Sequence, residues 1–204
     1  MEESIKTAAV VLAAGYSSRM GSLKPLLPMG DRTVIETVIG TFQQAGIYDI
    51  YIVVGHEHEK ILPVLEGQNI AVVYNREYKK GMFTSVQAGI RCLQSHETEA
   101  FFLLPADYAL IQVETLRKLA AAYRENDAMV VYPCHRGQRG HPPLLSTVLI
   151  SEIMDYHGQG GLRKLLDRHE SEALDLAVED EGILLDMDTR EDYRYCLEKF
   201  RIRT

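Results

Sequence analysis

The chain has 204 residues, of which 46% are hydrophobic and 25% are charged, and this composition excludes an intrinsically disordered protein. The formal net charge of -7, from 22 basic and 29 acidic residues, argues against broad binding to nucleic acids or anionic membranes, because both need a basic face. The 3 cysteines are too few for a disulfide framework or a zinc cage and predict a reducing, cytoplasmic environment. The apolar run near the start of the chain is far shorter than the ~20 residues that a membrane-spanning helix needs.

The first two thirds of the chain alternate short apolar runs with segments of helical spacing. Residues 8–13 form the first predicted strand, and residues 33–45 follow as a helix that ends before Gly46. The sequence then predicts strand 50–54, strand 70–74, helix 85–93, strand 100–104, helix 113–123 and strand 129–132. These strands are continuously apolar, which is typical of a parallel sheet that is buried on both faces. We therefore predict an α/β fold with a mostly parallel central sheet.

The last third of the chain has a looser pattern. Residues 133–143 are rich in Gly, Arg and His and predict a loop, and residues 158–161 predict a second flexible stretch. Residues 182–187 predict one more strand, and residues 189–200 predict a closing helix capped by Thr189. No linker divides the chain, so we expect residues 1–204 to form a single domain.

The residues just after each strand are the most informative, because ligands of open α/β sheets bind at the carboxyl ends of the strands. The loop after the first strand contains Gly15 and Gly21, which permit a tight turn, and the cations Arg19 and Lys24. Backbone N–H groups and cations in such a loop can bind phosphates, although a plain turn with two exposed cations has the same composition. Neither the Walker A pattern nor G-x-G-x-x-G is present in the sequence.

The full string LAAGYSSRMGSLKPLLP, residues 12–28, resembles the opening signature of the nucleotidyltransferase family that includes molybdopterin cytidylyltransferases and guanylyltransferases. The resemblance implies a Rossmann-like three-layer α/β/α fold of the nucleotide-diphospho-sugar transferase type. It also implies that the loop binds a nucleoside triphosphate. By resemblance, the nucleotide is bound by Leu12, Ala13, Ala14 and Gly15, and its phosphates by Arg19 and Lys24, which are also candidate catalytic residues.

Two further polar residues match a second segment of that family. Asn75 follows the third predicted strand, and Ser85 belongs to the string GMFTS at residues 81–85. This arrangement is similar to the family's N…GM..S segment, which contacts the base and ribose. Without the resemblance, Asn75 would be interpreted as a turn residue and Ser85 as a helix N-cap.

Three aspartates are candidate ligands for Mg²⁺, which binds one or two protein carboxylates together with phosphates. Asp107 comes just after a buried strand in a segment similar to the family's D-x-P-L, although Ala109 replaces the proline. Asp186 and Asp188 resemble the family's D-I-D-T-P-E-D ending and would share one face of a strand, where they repel each other unless a cation or another partner lies between them. The alternatives are that Asp107 caps a turn and that Asp188 caps the following helix.

Residues 136–143 resemble the family's R-G-x-x-G-H-P stretch, which forms the acceptor side of the pocket. Arginines and a histidine among glycines suit an anionic substrate, although such runs are also common in solvated loops. The candidate acceptor-binding residues are Arg136, Arg139, Gly140, His141 and Pro142. The GQGG stretch, followed by Leu162 and Arg163, is also similar to a family loop that faces the acceptor.

Together these matches imply a Mg²⁺-dependent nucleotidyltransferase that transfers CMP from CTP to the phosphate of molybdopterin and releases pyrophosphate. The LAAG form resembles that of the CTP-using members, and we expect the methyl group of Ala14 to crowd a purine. The implied partner is a molybdenum hydroxylase or its maturation factor. The alternatives are a relative that uses GTP or another phosphorylated acceptor, and a non-catalytic chaperone that carries the finished cofactor.

Overall fold

The computed structural model describes residues 5–95 and 97–203. It has a central β-sheet with helices on both faces. The strands are β1 Thr7–Ala13, β2 Pro28–Met29, β3 Arg32–Thr33, β4 Asp49–Val54, β5 Ala71–Tyr74, β6 Ala100–Pro105, β7 Val130–His135, β8 Gln138–Arg139, β9 Leu144–Ser146 and β10 Ala173–Ala177. The helices are α1 Val34–Gln44, α2 His58–Leu65, α3 Met82–Arg91, α4 Val113–Glu125, α5 Ile150–Asp155, α6 Gly161–Leu166 and α7 Arg190–Arg203. None of the helices in these two ranges is long and apolar enough to span a bilayer.

The main sheet has the strand order β10-β7-β9-β6-β1-β4-β5, with β8 paired to β7, while β2 and β3 form a separate ribbon. Strand β1 pairs in parallel with β4 and β6, and β7 pairs in parallel with β10. Strand β9 is antiparallel to both of its neighbours, β6 and β7. The carboxyl ends of β1, β4, β6 and β7 therefore lie at one edge of the sheet. The prediction of an α/β fold with a mostly parallel sheet is confirmed.

The central strand β1 is apolar throughout because it contributes side chains to two cores. Ala9 and Val11 belong to the core that includes residues of α1 and α4. Ala8 and Val10 belong to the core that includes residues of α3 and α5. Helix α3 approaches β1 closely, since a Cβ atom at Gly89 would lie 2.4 Å from a methyl carbon of Val10. The two-sided burial explains the continuous apolar runs in the sequence.

The predicted loop over residues 133–143 is wrong for part of its length. Residues 133–135 complete β7, and Gln138–Arg139 return as β8. Arg136 and Gly137 connect these strands with positive φ angles of 50° and 81°. Two consecutive residues in this conformation make the tight hairpin turn that fits the twist of paired strands. An Arg-Gly turn lacks the usual Asn-Gly signal, so the sequence did not predict it.

The predicted strand over residues 182–187 is also wrong. A 3₁₀ helix, Glu181–Leu184, occupies its first half, and the N–H of Gly182 donates to the side chain of Asp180 at its start. The sequence did not predict β9 or β10 in the same region, because β9 has only 3 residues and β10 lies at the edge of the sheet. The closing helix was predicted correctly, and Thr189 Oγ1 accepts a hydrogen bond from the N–H of Asp192.

Helix α1 begins with a reciprocal capping box. The Glu36 N–H donates to Thr33 Oγ1, and the Thr33 N–H donates to the Glu36 carboxylate at 2.7 Å. We expect Thr33→Ala to lower the free energy of unfolding by about 1 kcal/mol, because an N-terminal donor of the helix loses its acceptor. Urea unfolding followed by circular dichroism measures this loss. The control is Thr41→Ala, which removes a hydroxyl that bonds only the carbonyl of Thr37 within the helix and should cost less than about 0.5 kcal/mol. Equal losses in both variants would contradict the capping role.

Candidate active site

The loop after β1 turns back over the end of the sheet. Ser17 has a positive φ of 49° and Gly21 one of 65°, which permit this turn. The carbonyl oxygen of Ser17 accepts a hydrogen bond from the N–H of Met20 at 3.0 Å. The Ser17 hydroxyl accepts a hydrogen bond from the N–H of Lys24 at 3.1 Å. These bonds hold Lys24 at the start of a 3₁₀ helix, Lys24–Leu26, beside the carboxyl ends of β1 and β6.

Lys24 joins two of the predicted metal ligands. Its Nζ lies 2.7 Å from Asp107 Oδ2 and 2.5 Å from Asp188 Oδ1, and the side chain is only 14% exposed. Arg19 NH1 lies 2.6 Å from the other oxygen of Asp188, and its side chain is 73% exposed. Burial lowers the pKa of Lys24, but its hydrogen bonds to the two carboxylates outweigh this effect and raise the pKa above its usual value. The hydrogen bond from Lys24 lowers the pKa of Asp188.

One carboxylate oxygen in this cluster is available for a cation. Asp107 Oδ1 is buried and has no hydrogen-bond partner among the residues that the structure describes, which is costly for a charged group. The described residues contain no group of three or more His, Cys, Asp or Glu side chains arranged to hold a metal by themselves. Magnesium normally completes its shell with phosphates and water, and therefore a site with one or two carboxylates still fits it.

Asp186 lies beside the same cluster, although the strand on which we expected it does not exist. Burial raises the pKa of Asp186, and the nearby carboxylates of Asp188 and Asp107 raise it further. Burial is the main reason why the pKa of the Tyr108 hydroxyl is raised, and the nearby carboxylate of Asp186 raises it further. The structure thus brings all three predicted aspartates together at the end of the sheet.

The first four candidate nucleotide-binding residues lie at the end of β1. Two of their backbone carbonyl groups accept hydrogen bonds from residues that follow the neighbouring strands. The carbonyl of Leu12 accepts from the N–H of Ala106, and the carbonyl of Ala14 accepts from the N–H of His56. The side chains of Ala13 and Ala14 are buried, and the Ala14 methyl group lies beside Gly55. Little of that methyl group is exposed to a base. A Cβ atom at Gly15, by contrast, would meet nothing within 4 Å, so the backbone of Gly15 is accessible.

Asn75 and Ser85 are buried next to each other. The amide nitrogen of Asn75 donates to Ser85 Oγ at 2.9 Å and to Thr84 Oγ1 at 3.0 Å, while Asn75 Oδ1 accepts from the N–H of Glu77. Helix α3 begins at Met82, and therefore Ser85 is inside the helix and is not its N-cap. Asn75 thus fastens the end of β5 to the start of α3. Contact of either residue with a nucleotide stays a prediction.

A pocket of about 770 Å³ opens beside the aspartate cluster. Its lining includes the ends of β1 and β6, the first turn of α3, and Gly160 and Gly161 at the start of α6. Three aromatic residues that the sequence did not single out, Phe83, Tyr108 and Tyr132, contribute to its wall. Aromatic residues are common in such segments, and the only signal for Tyr108 was its place next to Asp107.

The candidate acceptor-binding residues have different positions in this pocket. Arg139, Gly140 and His141 line it, whereas Arg136 is exposed at the turn of the β7–β8 hairpin and Pro142 is buried. Arg139 pairs with both oxygens of Glu170, at 2.7 and 2.8 Å, and with Asp175 at 2.5 Å. Its guanidinium group also lies 4.4 Å from the centre of the Tyr132 ring. The charge of Arg139 is therefore balanced within the protein.

His141 forms an uncharged part of the pocket wall. Burial lowers its pKa below the usual value, and its Nδ1 is buried with no hydrogen-bond partner within residues 5–95 and 97–203. The ring lies 4.6 Å from that of Tyr108. A neutral imidazole with an unused nitrogen can bind a polar edge of a ligand in this pocket.

Removing the Lys24 ammonium group leaves Asp107 and Asp188 without the cation that bridges them, although Arg19 still contacts Asp188. We expect Lys24→Met to lower the free energy of unfolding by about 1–2 kcal/mol at pH 7. Because Lys24 lowers the folded-state pKa of Asp188, this stabilisation is present above the carboxyl's unfolded-state pKa and is lost as pH falls through the folded-state value. The difference from the wild type should therefore shrink below about pH 4. Urea unfolding between pH 3 and pH 8 measures it.

The control for this measurement is Lys60→Met, because Lys60 is exposed and pairs with Glu57 on the surface. We expect a change below about 0.5 kcal/mol at every pH. A loss in Lys24→Met that is the same at pH 3 and pH 7 would contradict the charge-based explanation.

Comparisons with known proteins identify the family to which the chain belongs. Residues 9–173 match the family described as the MobA-like NTP transferase domain. A molybdenum cofactor cytidylyltransferase of Escherichia coli is 30% identical over 194 residues, which cover 94% of this chain and 95% of that protein. The crystal structure of Rv0371c from Mycobacterium tuberculosis has a TM-score of 0.81 and 27% identity over 96% of this chain and 100% of that chain. Its manganese complex has a TM-score of 0.76 and 26% identity over the same shares. The chain therefore belongs to the MobA-like NTP transferase family and is a nucleotidyltransferase.

Proposed function

We propose that this enzyme transfers CMP from CTP to the terminal phosphate of molybdopterin in a Mg²⁺-dependent reaction that releases pyrophosphate. The observation that carries the proposal is the position of the Asp107–Lys24–Asp188 cluster directly beside the aromatic pocket, since Tyr108 lines that pocket. The choice of CTP and molybdopterin follows the Escherichia coli relative, whose similarity extends over nearly the whole of both chains.

The nucleotide side of the site consists of the loop after β1. In this proposal the backbone of Leu12–Gly15 binds the nucleotide, and Arg19 and Lys24 bind its phosphates. Both cations are held by Asp188 in the free protein, and Arg19 is largely exposed. A triphosphate would compete with Asp188 for these two cations, because phosphate oxygens are strong acceptors for both.

The aspartate cluster is the proposed metal site. Asp107 would bind Mg²⁺ through its buried, unpartnered oxygen, and Asp188, with Asp186 as the next candidate, would complete the protein's share of ligands. When bound, the metal would supply positive charge to the phosphate oxygens. The manganese complex of the mycobacterial relative supports a divalent cation in this family.

The pocket beside the cluster is the proposed acceptor site. Its aromatic side chains offer flat apolar surfaces, and its volume of about 770 Å³ is within the range of pockets for small-molecule ligands. A planar heteroaromatic acceptor fits this wall better than a sugar phosphate does, because sugars need many hydrogen-bond partners. Because Glu170 and Asp175 already neutralise Arg139, we propose that its role is to shape the pocket wall beside Tyr132. Arg136 has no such partner among the described residues and is the candidate for an anionic group.

The chemistry needs positioning and charge neutralisation more than covalent help from the protein. An oxygen of the acceptor phosphate attacks the α-phosphorus of CTP, the new P–O bond forms, and the bond to the β-phosphate oxygen breaks. Pyrophosphate leaves with the electron pair of that bond. No side-chain nucleophile is required, because the acceptor phosphate is already anionic. Lys24 and Arg19 hold the charge on the phosphates, and the adjoining pocket aligns the acceptor with the α-phosphorus.

We also propose that the reaction takes place in the cytoplasm and that the product passes to a molybdenum hydroxylase or its maturation factor. This part of the proposal follows from the family resemblance, and the relative's printed name supports only the link to the molybdenum cofactor.

The identity of both substrates can be tested in one assay. We expect Mg²⁺-dependent pyrophosphate release with molybdopterin and CTP, and at least about 100-fold less with GTP, ATP or UTP. Release with GTP alone would keep the reaction and overturn the choice of base. Release with none of the four would contradict molybdopterin as acceptor, and a phosphorylated sugar would then be tried with the same nucleotides.

The metal role of Asp107 makes a separate prediction. We expect Asp107→Asn to lower turnover by about 100-fold or more, because the amide cannot replace a charged ligand to Mg²⁺. The matched control is Asp127→Asn, which changes an exposed aspartate before β7 and should leave turnover unchanged. Steady-state rates at saturating CTP, with circular dichroism to check the fold, measure both. Wild-type turnover in Asp107→Asn would refute the metal role.

A further inference from the structure

A buried carboxylate that the proposed reaction does not use, Asp180, lies between the segments that carry the candidate metal ligands. Its side chain is almost completely buried, with the residue 2% exposed. Asp180 Oδ2 accepts hydrogen bonds at 2.8 Å from the N–H of Gln112 and from the hydroxyl of Thr115. Asp180 Oδ1 accepts one from the N–H of Gly182 at 3.0 Å and lies 3.6 Å from a guanidinium nitrogen of Arg203. Both oxygens therefore have partners, and the charge is balanced.

The donors from Gln112 and Thr115 tie this carboxylate to the loop that carries Asp107. Gln112 directly precedes α4, Thr115 lies in its first turn, and α4 follows the Asp107 loop along the chain. Gly182 packs so closely against the same loop that a Cβ atom would lie 2.1 Å from the carbonyl oxygen of Leu110. The 3₁₀ helix that contains Gly182 is therefore in direct backbone contact with the Asp107 loop.

The remaining partners tie the carboxylate to the segment that carries Asp188. The 3₁₀ helix Glu181–Leu184 leads into that segment, and α7 follows it. Arg203, near the end of α7, contacts Asp180 and also donates to the carbonyl of Leu110. Asp188 thus lies between the 3₁₀ helix Glu181–Leu184 and α7, and both elements contact the side chain of Asp180.

The acceptor side of the site is attached to the same 3₁₀ helix. The N–H of His141 donates to the carbonyl of Ile183 at 2.8 Å. A Cβ atom at Gly140 would lie 2.4 Å from that carbonyl oxygen, so the two segments are in close contact. One buried carboxylate therefore organises the junction of the metal loop, the Asp188 segment and the acceptor wall.

We propose that Asp180 is a positioning residue for nucleotidyl transfer, which holds Asp107 and Asp188 at the separation that binds a divalent cation with the nucleotide. This inference rests on the proposed metal role of those two aspartates. Asp180 itself touches neither substrate nor metal. A carboxylate suits the position because it accepts hydrogen bonds through both oxygens, from segments on either side. An amide of the same size accepts through one oxygen only and presents an NH₂ group to the other donors.

The test measures metal binding directly, without the acceptor. Mn²⁺ is the probe, and its binding in the presence of CTP is followed by electron paramagnetic resonance for the wild type and for Asp180→Asn. We expect the dissociation constant for Mn²⁺ to rise by about ten-fold in Asp180→Asn, as is typical when a group that orients a metal ligand is lost. A purely structural role would reduce the folded fraction but leave the dissociation constant of the folded protein unchanged.

A control variant separates positioning from general stability. Leu119→Ala opens a cavity in the core against α4 and lowers the thermal midpoint, and Leu119 contributes no donor to Asp180. We expect it to bind Mn²⁺ like the wild type at a temperature where both variants are folded. An unchanged dissociation constant in Asp180→Asn, or an equal rise in Leu119→Ala, would overturn the positioning role.

A second pair of variants covers the case in which Asp180→Asn does not fold. Thr115→Val removes one donor to Asp180 and keeps the shape of the side chain, and Thr115→Ser keeps the hydroxyl. We expect the dissociation constant for Mn²⁺ to rise about three-fold in Thr115→Val and to stay at the wild-type value in Thr115→Ser. Equal binding in both would overturn the inference.

Failure of the proposed function gives a different result. If the wild type binds Mn²⁺ with GTP but not with CTP, the base is wrong, and the same comparison of variants is made with GTP. If the wild type binds no Mn²⁺ with any of the four nucleotides, both the metal site and the positioning role are overturned. Metal binding by the wild type with no change in the variants overturns the positioning role alone.

Discussion

Three carboxylates meet at the carboxyl edge of the sheet, and the Lys24 ammonium group is what allows two of them to lie close together. Lys24 bonds Asp107 and Asp188, which come from segments far apart in the sequence, while Arg19 bonds the second oxygen of Asp188. Asp186 lacks such a bond to a cation among the described contacts, and its pKa is raised by burial and by its acidic neighbours. The site therefore depends on positive charge, which Lys24 supplies in the free protein.

This dependence reconciles an acidic protein with a triphosphate ligand. The net charge of -7 describes the whole chain, whereas Arg19 and Lys24 lie in one short loop at the end of β1. The cations that neutralise the aspartates are the same ones that the proposal assigns to the phosphates. Exchange of these cations between carboxylates and phosphates would link the binding of nucleotide to the release of the aspartates for a metal.

The wall of the proposed acceptor pocket uses charge in the opposite way. Arg139 is tied to Glu170 and Asp175 and stacked on Tyr132, and His141 is partly buried with a lowered pKa. Groups that appear cationic in the sequence are thus neutral or balanced in the folded pocket. The pocket presents mainly flat aromatic surfaces beside the aspartates, and the buried Asp180 joins this wall to the two segments that carry them.

The sequence by itself determined the central architecture and the residues of the cluster. A continuous apolar run such as residues 8–13 predicts a strand correctly because β1 is buried on both faces of the sheet. The residues that follow the predicted strands then include Arg19, Lys24 and Asp107. Only the tertiary structure decided that Lys24 bridges Asp107 and Asp188, that Arg139 is neutralised, and that Asp180 is buried at their junction. These facts depend on contacts between residues distant in sequence, and local spacing carries no information about them. The 3₁₀ helix Glu181–Leu184 was misread for the same reason, because its conformation is set by Asp180 and by packing against Leu110.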